Sequence, residues 1–282
     1  MNAPSVLGRV RQHLVQLKLA GSLEVLDDTM SRVEQGQLSV LEAIDVLLSD
    51  ECANRETRRI KAARMSSRLT QVKTLESFDF SFQPGLDRNR ILTLAELGFI
   101  DRHQSVHFLG PPGVGKSHLA LALGMEAIKA GKTVYYTSLT DLIATLTKAE
   151  REGNLVTRVR YFNRAALLIV DEVGYLPISP SGANLFFQLV NSRYEKGAMI
   201  LTSNRGFKEW GEVFGDNVIA AALLDRLLHH AVVIEIEGNS YRLREHADLV
   251  PDSLKGIHRQ AEKPTAKRRG RPRKAAAATK AN

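Results

Sequence analysis

The sequence predicts an α/β fold: a P-loop parallel sheet of the additional-strand kind, behind a helical N-terminal domain and without a C-terminal lid domain. Three observations carry that prediction. From residue 90 onward, short apolar runs alternate with helical patterns, which implies parallel strands covered by helices on both faces. One such run feeds "GPPGVGKS", Gly110 to Ser117, and another, "LLIVDE", ends on Asp171 and Glu172. A helical span separates that acidic pair from "MILTSN". This order implies a strand inserted between the P-loop strand and the neighbour of the Asp-Glu strand.

Taken in order, residues 1–72 read as a helical domain. "VLGRVRQHLVQLKLAG" sets Leu7, Val10, Leu14 and Leu17 at helical spacing, with Gly21 as C-cap. A second helix starts from Ser39 as N-cap, with Glu42 completing a capping box, and runs to Met65. Residues 73–89 read as an extended linker, from the alternating Phe78, Phe80 and Phe82 and the following Pro84-Gly85. The α/β domain, 90–250, begins with the helix "ILTLAELGFI" and the strand "VHFLG". Helices "SHLALALGMEAIKAG", "TDLIATLTKAER" and "GANLFFQLVNSRYEKG" then alternate with strands "TVYYTS", "ALLIVDE" and "AMILTSN". A late strand, "AVVIEIEG", precedes a basic tail, 251–282, expected to be disordered.

Composition narrows the function classes. At 282 residues and 44% hydrophobic, the chain can bury a core. Its single cysteine, Cys52, excludes an intramolecular disulfide, and no Cys/His cluster has zinc spacing, so a reduced, cytoplasmic setting is expected. No apolar run reaches the roughly 18 residues of a membrane span, and Arg, Gln, His and Lys interrupt the first segment where a signal core would stand. A membrane partner is not expected. The net charge of +8 is unevenly placed. Residues 261–282 hold eight Lys/Arg against Glu262 alone, and Arg55 to Lys73 hold seven against Glu56. Two basic regions flanking a nearly neutral body point to a polyanionic partner.

The chemistry sits at strand ends. In "GPPGVGKS" (Gly110, Pro111, Pro112, Gly113, Val114, Gly115, Lys116, Ser117), the glycines let backbone N–H groups turn around phosphate oxygens. Lys116 supplies a point charge, Ser117 a Mg²⁺ ligand, and His118 continues the segment. ATP and Mg²⁺ are therefore the expected cofactors. Asp171 and Glu172 arrive at the ligand-binding edge of the sheet, Asp171 to hold Mg²⁺ and Glu172 to activate the attacking water. Asn204 ends the next strand, placed as a sensor of the same water or the γ-phosphate. Arg226 in "AALLDRLLHHA" is the candidate arginine finger, acting in trans. The adjacent His229 and His230 point to different helix faces and are not read as metal ligands.

From Thr74 to Glu245 the chain resembles the IstB-type helper ATPases of bacterial insertion-sequence transposition, within the AAA+ class and close to DnaC-like helicase loaders. The resemblance rests on "TLESFDFSFQPGLDR", "FLGPPGVGKSHLALALG", "LLIVDEVGYLPISPSGANLFFQLVNSRYEKGAMILTSN" and "EWGEVFGDNVIAAALLDRLLHHAVVIEIEGNSYRLRE". The Walker segments are widely shared, whereas "GYLP" and the last segment are far more restrictive. The resemblance implies an ATPase that oligomerises with ATP on double-stranded DNA, prepares a target site and recruits or stimulates a DDE-type transposase. It also implies that the N-terminal helices contact DNA or pack neighbouring subunits, with Arg55, Arg58, Arg59, Lys61 and Arg64 as phosphate contacts. Where some relatives carry a further Arg, this chain reads His229-His230. The stretch after Arg226 is too short for the usual lid, which leaves Arg242 as the stand-in for a lid-borne sensor.

A helicase loader with the same ATPase and a different client is the nearest alternative, and a DNA-binding protein with a vestigial P-loop the more distant one. In the tail, Arg269-Gly270-Arg271-Pro272 resembles an AT-hook core, in which Gly permits close approach to a narrow A·T minor groove and Arg matches its negative potential.

Overall fold

Three helices open the chain: α1 (Val6–Gln16), α2 (Ala20–Glu34) and α3 (Val40–Ser66). They belong to a computed structural model that describes residues 5–69 and 71–244. Ser5 caps α1, whose residues all stay outside the core. The capping box at Ser39 and Glu42 forms as expected. Gly21 is not a C-cap. It lies inside α2, where a Cβ would stand 2.9 Å from the Asp50 carbonyl oxygen, so its missing side chain lets α3 pack closely. Buried Glu51 fixes this pairing by accepting from the Gly21 N–H at 2.8 Å and from Arg55 Nε at 2.7 Å. Ser22 Oγ adds a bond to the Leu47 carbonyl.

The expected extended linker is folded. Phe80–Phe82 is a single 3₁₀ turn whose exposed N–H groups are capped by Asp79. Leu75, Phe78 and Leu86 are buried in the core of the α/β body. The two-residue spacing of Phe78, Phe80 and Phe82 does not make an extended segment: Phe78 packs into the core just ahead of the turn, and Phe80 and Phe82 are half-buried.

The body continues through α4 (Arg88–Ala95), α5 (Gly98–Asp101), β1 (Ser105–Leu109), α6 (Lys116–Lys129), β2 (Val134–Ser138) and α7 (Leu139–Arg151). Next come α8 (Leu155–Asn163), β3 (Leu167–Val173), α9 (Pro180–Arg193), β4 (Ala198–Ser203), α10 (Trp210–Phe214), α11 (Asn217–Leu228) and β5 (Ala231–Glu235). The five strands lie in the order β2-β3-β4-β1-β5, and every pairing is parallel. The inserted strand is β4 itself, directly between the P-loop strand β1 and the Asp-Glu strand β3.

Each face of the sheet has its own apolar layer. Leu119, Leu123 and Ile128 of α6 cover one face, while Leu142 of α7, Leu189 of α9 and Leu223 of α11 cover the other. Buried Arg193 closes the second layer by donating to the carbonyls of Phe162, Ala165 and Ala198 at 2.8 to 3.0 Å. It satisfies carbonyls at the end of α8 and the start of β4 that would otherwise be buried without a donor. Among the described residues no α-helix follows β5, and no helix is long and apolar enough to cross a membrane.

Candidate nucleotide-binding site

β1 delivers the P-loop to the C-terminal edge of the sheet, and α6 leaves it at Lys116. Gly113 (φ 83°) and Gly115 (φ 102°) occupy the left-handed region that disfavours other residues. Space enforces the same choice. A Cβ on Gly113 would meet Ser240 Oγ at 2.0 Å, and one on Gly115 would meet the Phe78 ring at 2.5 Å. The loop is therefore a cradle whose walls are its own backbone, at the N-terminus of a fourteen-residue helix whose dipole favours anions.

Lys116 Nζ donates to the Gly110 and Pro111 carbonyls, each at 2.7 Å. Burial lowers its pKa to about 8; Asp171 works against that shift and Arg242 adds to it. Ser117 Oγ donates to Asp171 Oδ1 at 2.8 Å. The same Oδ1 accepts from Thr202 Oγ1 and, at 3.1 Å, from the Glu172 N–H, while Oδ2 accepts from the Tyr136 hydroxyl at 2.7 Å. One buried carboxylate thus ties α6, β2, β3 and β4 together. Burial, with Asp171 beside it, pushes the Tyr136 phenol up, so it stays a proton donor at neutral pH.

Glu172 has a left-handed backbone (φ 63°) and lies where the β3–β4 register shifts, between Val170 and Val173. Asp171 Oδ1 and Thr202 Oγ1 share its N–H, each at 3.1 Å, which holds that unusual conformation and leaves the side chain exposed. Asn204 follows β4, whose Ser203 pairs with Leu109 and accepts from the Gly110 N–H at 3.2 Å, so it stands at the foot of the P-loop. Its Oδ1 is buried without a hydrogen-bond partner among the described residues.

A cavity of about 660 Å³ opens over the loop, between Phe78 and Phe82 on one side and Tyr241 and Arg242 on the other. Of these wall residues, the sequence points only to Arg242, as the stand-in for a lid-borne sensor; Phe78, Phe82 and Tyr241 lie outside the expected site. His118 Nε2 lies 2.9 Å from the Thr74 carbonyl and 3.2 Å from Ser77 Oγ, which docks the former linker on the P-loop helix. From the other side, the Tyr241 N–H donates to the Gly113 carbonyl at 3.0 Å, and Gln83 Nε2 reaches the Asn239 carbonyl at 3.1 Å. Phe82 meets Tyr241 edge to face at 5.1 Å, closing the circuit. Of the residues that sequence reading missed, Thr202 carried a signal as the first polar residue after the apolar run "AMIL". Tyr136 carried none, since four of the five residues of β2, VYYTS, bear hydroxyls.

Arg226 is not at this edge. It lies near the end of α11, where Ser105 Oγ, at the start of β1, donates to the Leu227 carbonyl; this is the opposite edge of the sheet. Its guanidinium bonds Asp225 at 2.6 Å and Asn191 at 3.2 Å and stands 5.3 Å from the centre of the Tyr194 ring. His229 and His230, expected on different faces, have ring centres 4.1 Å apart because α11 ends at Leu228, before its periodicity can separate them.

The basic residues of α3 divide. Arg55 is bound to Glu51. Arg59 bonds Glu56 and caps the C-terminus of α6 through the Ile128 and Lys129 carbonyls at 3.2 and 2.9 Å, so its first task is internal. Arg58 and Lys61 are exposed and Arg64 is half-buried. The AT-hook-like Arg269, Gly270, Arg271 and Pro272 lie outside the described residues.

A family model described as IstB-like ATP binding protein matches residues 12–248. The chain is 47% identical over 232 residues to the ATP-binding protein of insertion sequence IS21 from Pseudomonas aeruginosa, a match spanning 82% of this chain and 88% of that protein. It is 42% identical over 237 residues to the ATP-binding protein of insertion sequence IS5376 from Geobacillus stearothermophilus, spanning 84% and 94%. Among solved structures, AMPPCP-bound DnaA from Aquifex aeolicus is similar with a TM-score of 0.51 at 23% identity, over 69% of this chain and 62% of that one. At such identity the likeness concerns the fold alone: a parallel α/β sheet around a P-loop.

Proposed function

The chain belongs to the IstB-like ATP-binding proteins, and from that premise we propose that it is an ATP-hydrolysing, DNA-binding helper of transposition. It assembles as a homo-oligomer on double-stranded target DNA and recruits or stimulates a DDE-type transposase. The observation that supports hydrolysis most directly is the joining of Ser117 and Asp171, 2.8 Å apart, at the start of the P-loop helix. Two oxygen ligands so placed suit a hard divalent cation such as Mg²⁺.

In this reading the P-loop N–H groups and Lys116 bind the phosphates of ATP, and the nucleoside lies in the cavity between Phe78, Phe82 and Tyr241. Ser117 and Asp171 hold Mg²⁺. When bound, the metal neutralises charge on the β- and γ-phosphate oxygens. Glu172 accepts the proton of the attacking water, and Asn204, whose Oδ1 has no partner among the described residues, orients that water. Arg242, which borders the cavity, adds positive charge within the same chain. Arg226, on the far edge, completes the site of a neighbouring subunit, so that ATP stabilises the assembly and hydrolysis releases it. Arg55, Arg58, Arg59, Lys61 and Arg64 of α3, with the tail Arg269–Pro272, supply the DNA contacts. The insertion-sequence relatives favour a transposase over a replicative helicase as the client.

The test is Lys116→Ala. ATP binding measured by calorimetry and ATP-dependent sedimentation with duplex DNA should both disappear. Assembly that still responds to ATP in this variant would overturn the reading. A pull-down comparing transposase with hexameric helicase identifies the client.

A further inference from the structure

The geometry points to a surface site for a divalent transition metal of the Zn²⁺ class, formed by Glu195, His229 and His230 at the sheet edge opposite the P-loop. Each residue offers one ligand atom, and all three atoms lie within 4.8 Å of one another. Glu195 Oε1 stands 4.0 Å from His229 Nδ1 and 3.9 Å from His230 Nε2. Tetrahedral Zn²⁺, with bonds of about 2.0–2.2 Å, wants its donors roughly 3.3–3.5 Å apart. Closing the two Glu195–His pairs by about half an ångström, and bringing the imidazole atoms in from within 4.8 Å, calls on side-chain rotation alone. All three side chains are more than half exposed, so an ion reaches them freely and little neighbouring structure must move.

The backbone brings together ligands that the sequence separates. α9 ends at Arg193, and Glu195 takes a left-handed conformation (φ 57°) in the turn that leads to β4. α11 ends at Leu228, and the two histidines form its junction with β5. That junction is pinned: the His230 carbonyl accepts from the Ser105 N–H at 3.1 Å, and the Leu227 carbonyl accepts from Ser105 Oγ. The Tyr194 hydroxyl, 2.7 Å from His229 Nδ1, orients that imidazole. On metal binding the hydroxyl leaves Nδ1 or becomes the fourth ligand.

Two imidazoles and one carboxylate select Zn²⁺, Co²⁺ or Ni²⁺ over Mg²⁺, whose preferred ligands are all oxygen. The site is therefore chemically distinct from the pair Ser117 and Asp171. It also lies beside Arg226, whose guanidinium stands over the Tyr194 ring. An occupied site would thus alter the support under that arginine.

The experiment is a Co²⁺ titration of the full chain without nucleotide, followed by visible d–d absorption, with Zn²⁺ as competitor. One Co²⁺ per chain should bind with a tetrahedral spectrum and be displaced by Zn²⁺. His229→Asn, His230→Asn and Glu195→Gln should each weaken binding by at least about tenfold, with unchanged circular dichroism. Tyr194→Phe should keep the site, and so should Asp171→Asn. Absence of saturable binding, binding indifferent to both histidine variants, or binding lost in Asp171→Asn would each overturn the assignment.

Discussion

The two edges of the sheet are built on opposite plans. At the C-terminal edge, Asp171 is buried and bonded by Ser117, Thr202, Tyr136 and the Glu172 N–H, each from a different part of the site. At the N-terminal edge, Arg226, Glu195, His229 and His230 are held by pairs at the surface. Burial with satisfied bonds fixes a geometry in advance, because an unpaired polar group there costs about 1–3 kcal/mol. Exposed pairs are worth about 1 kcal/mol or less and exchange partners readily. The first edge is organised to act within its own chain, and the second is free to act on another molecule.

The largest expected effect breaks the comparison if it fails. Arg226→Ala should leave ATP affinity of the single chain unchanged and reduce hydrolysis by the assembled protein about 10³-fold. Mixing it with Lys116→Ala, itself inactive, should restore part of the activity, because a mixed oligomer contains composite sites with both residues intact. If Arg226→Ala hydrolyses ATP at the parental rate, the far edge plays no part in the reaction.

Tyr136→Phe sharpens the other half of the contrast. It keeps the ring and removes the hydroxyl from Asp171 Oδ2, so the Mg²⁺ concentration needed for half-maximal hydrolysis should rise about tenfold. Metal-free ATP binding should not change. An unaltered Mg²⁺ requirement would mean that Ser117, Thr202 and the Glu172 N–H position the carboxylate without the phenol.

A pH effect of similar size follows from Lys116, whose pKa burial lowers to about 8. Phosphate binds the charged amine and raises its pKa back, so binding takes up a proton once the free lysine has begun to lose its own. Affinity should be level below about pH 7 and fall above pH 8 by up to tenfold per unit. Calorimetry in two buffers of different ionisation enthalpy measures the proton directly. Proton release on binding at pH 8.5 would contradict this assignment.

The smallest effect concerns the N-terminal helices. Arg59→Ala removes the cap on α6 and should lower the urea unfolding midpoint by a small but measurable amount, because the lost bonds are largely open to water. The same drop from Arg58→Ala, which is exposed, would show that the cap contributes nothing particular to stability.

Much of the site was legible in the chain because its chemistry is local. Gly110 to Ser117 must be contiguous to form a phosphate cradle, and Asp171 and Glu172 must follow an apolar run to reach the sheet edge. Folded contacts were less visible. The aromatic run at Phe78 to Phe82 suggested an extended linker, but alternation cannot see the long-range contact that sets Phe78 beside Gly115 or the 3₁₀ turn that follows at Phe80–Phe82. Gly21 misled in the same way. Its lack of a side chain serves the approach of α3, thirty positions away at Glu51, rather than a helix end.

By itself, then, the sequence determined the α/β order, the P-loop, the acidic pair and the family likeness, all of which depend on neighbouring residues and on periodicity. Only the tertiary structure decided that Tyr136 and Thr202 brace Asp171 and that Phe78 and Tyr241 wall the cavity. It also decided that Arg226 faces away from its own P-loop and that Glu195 meets His229 and His230. Those relations join residues far apart in the chain, and strand order and helix ends, not local pattern, set their distances.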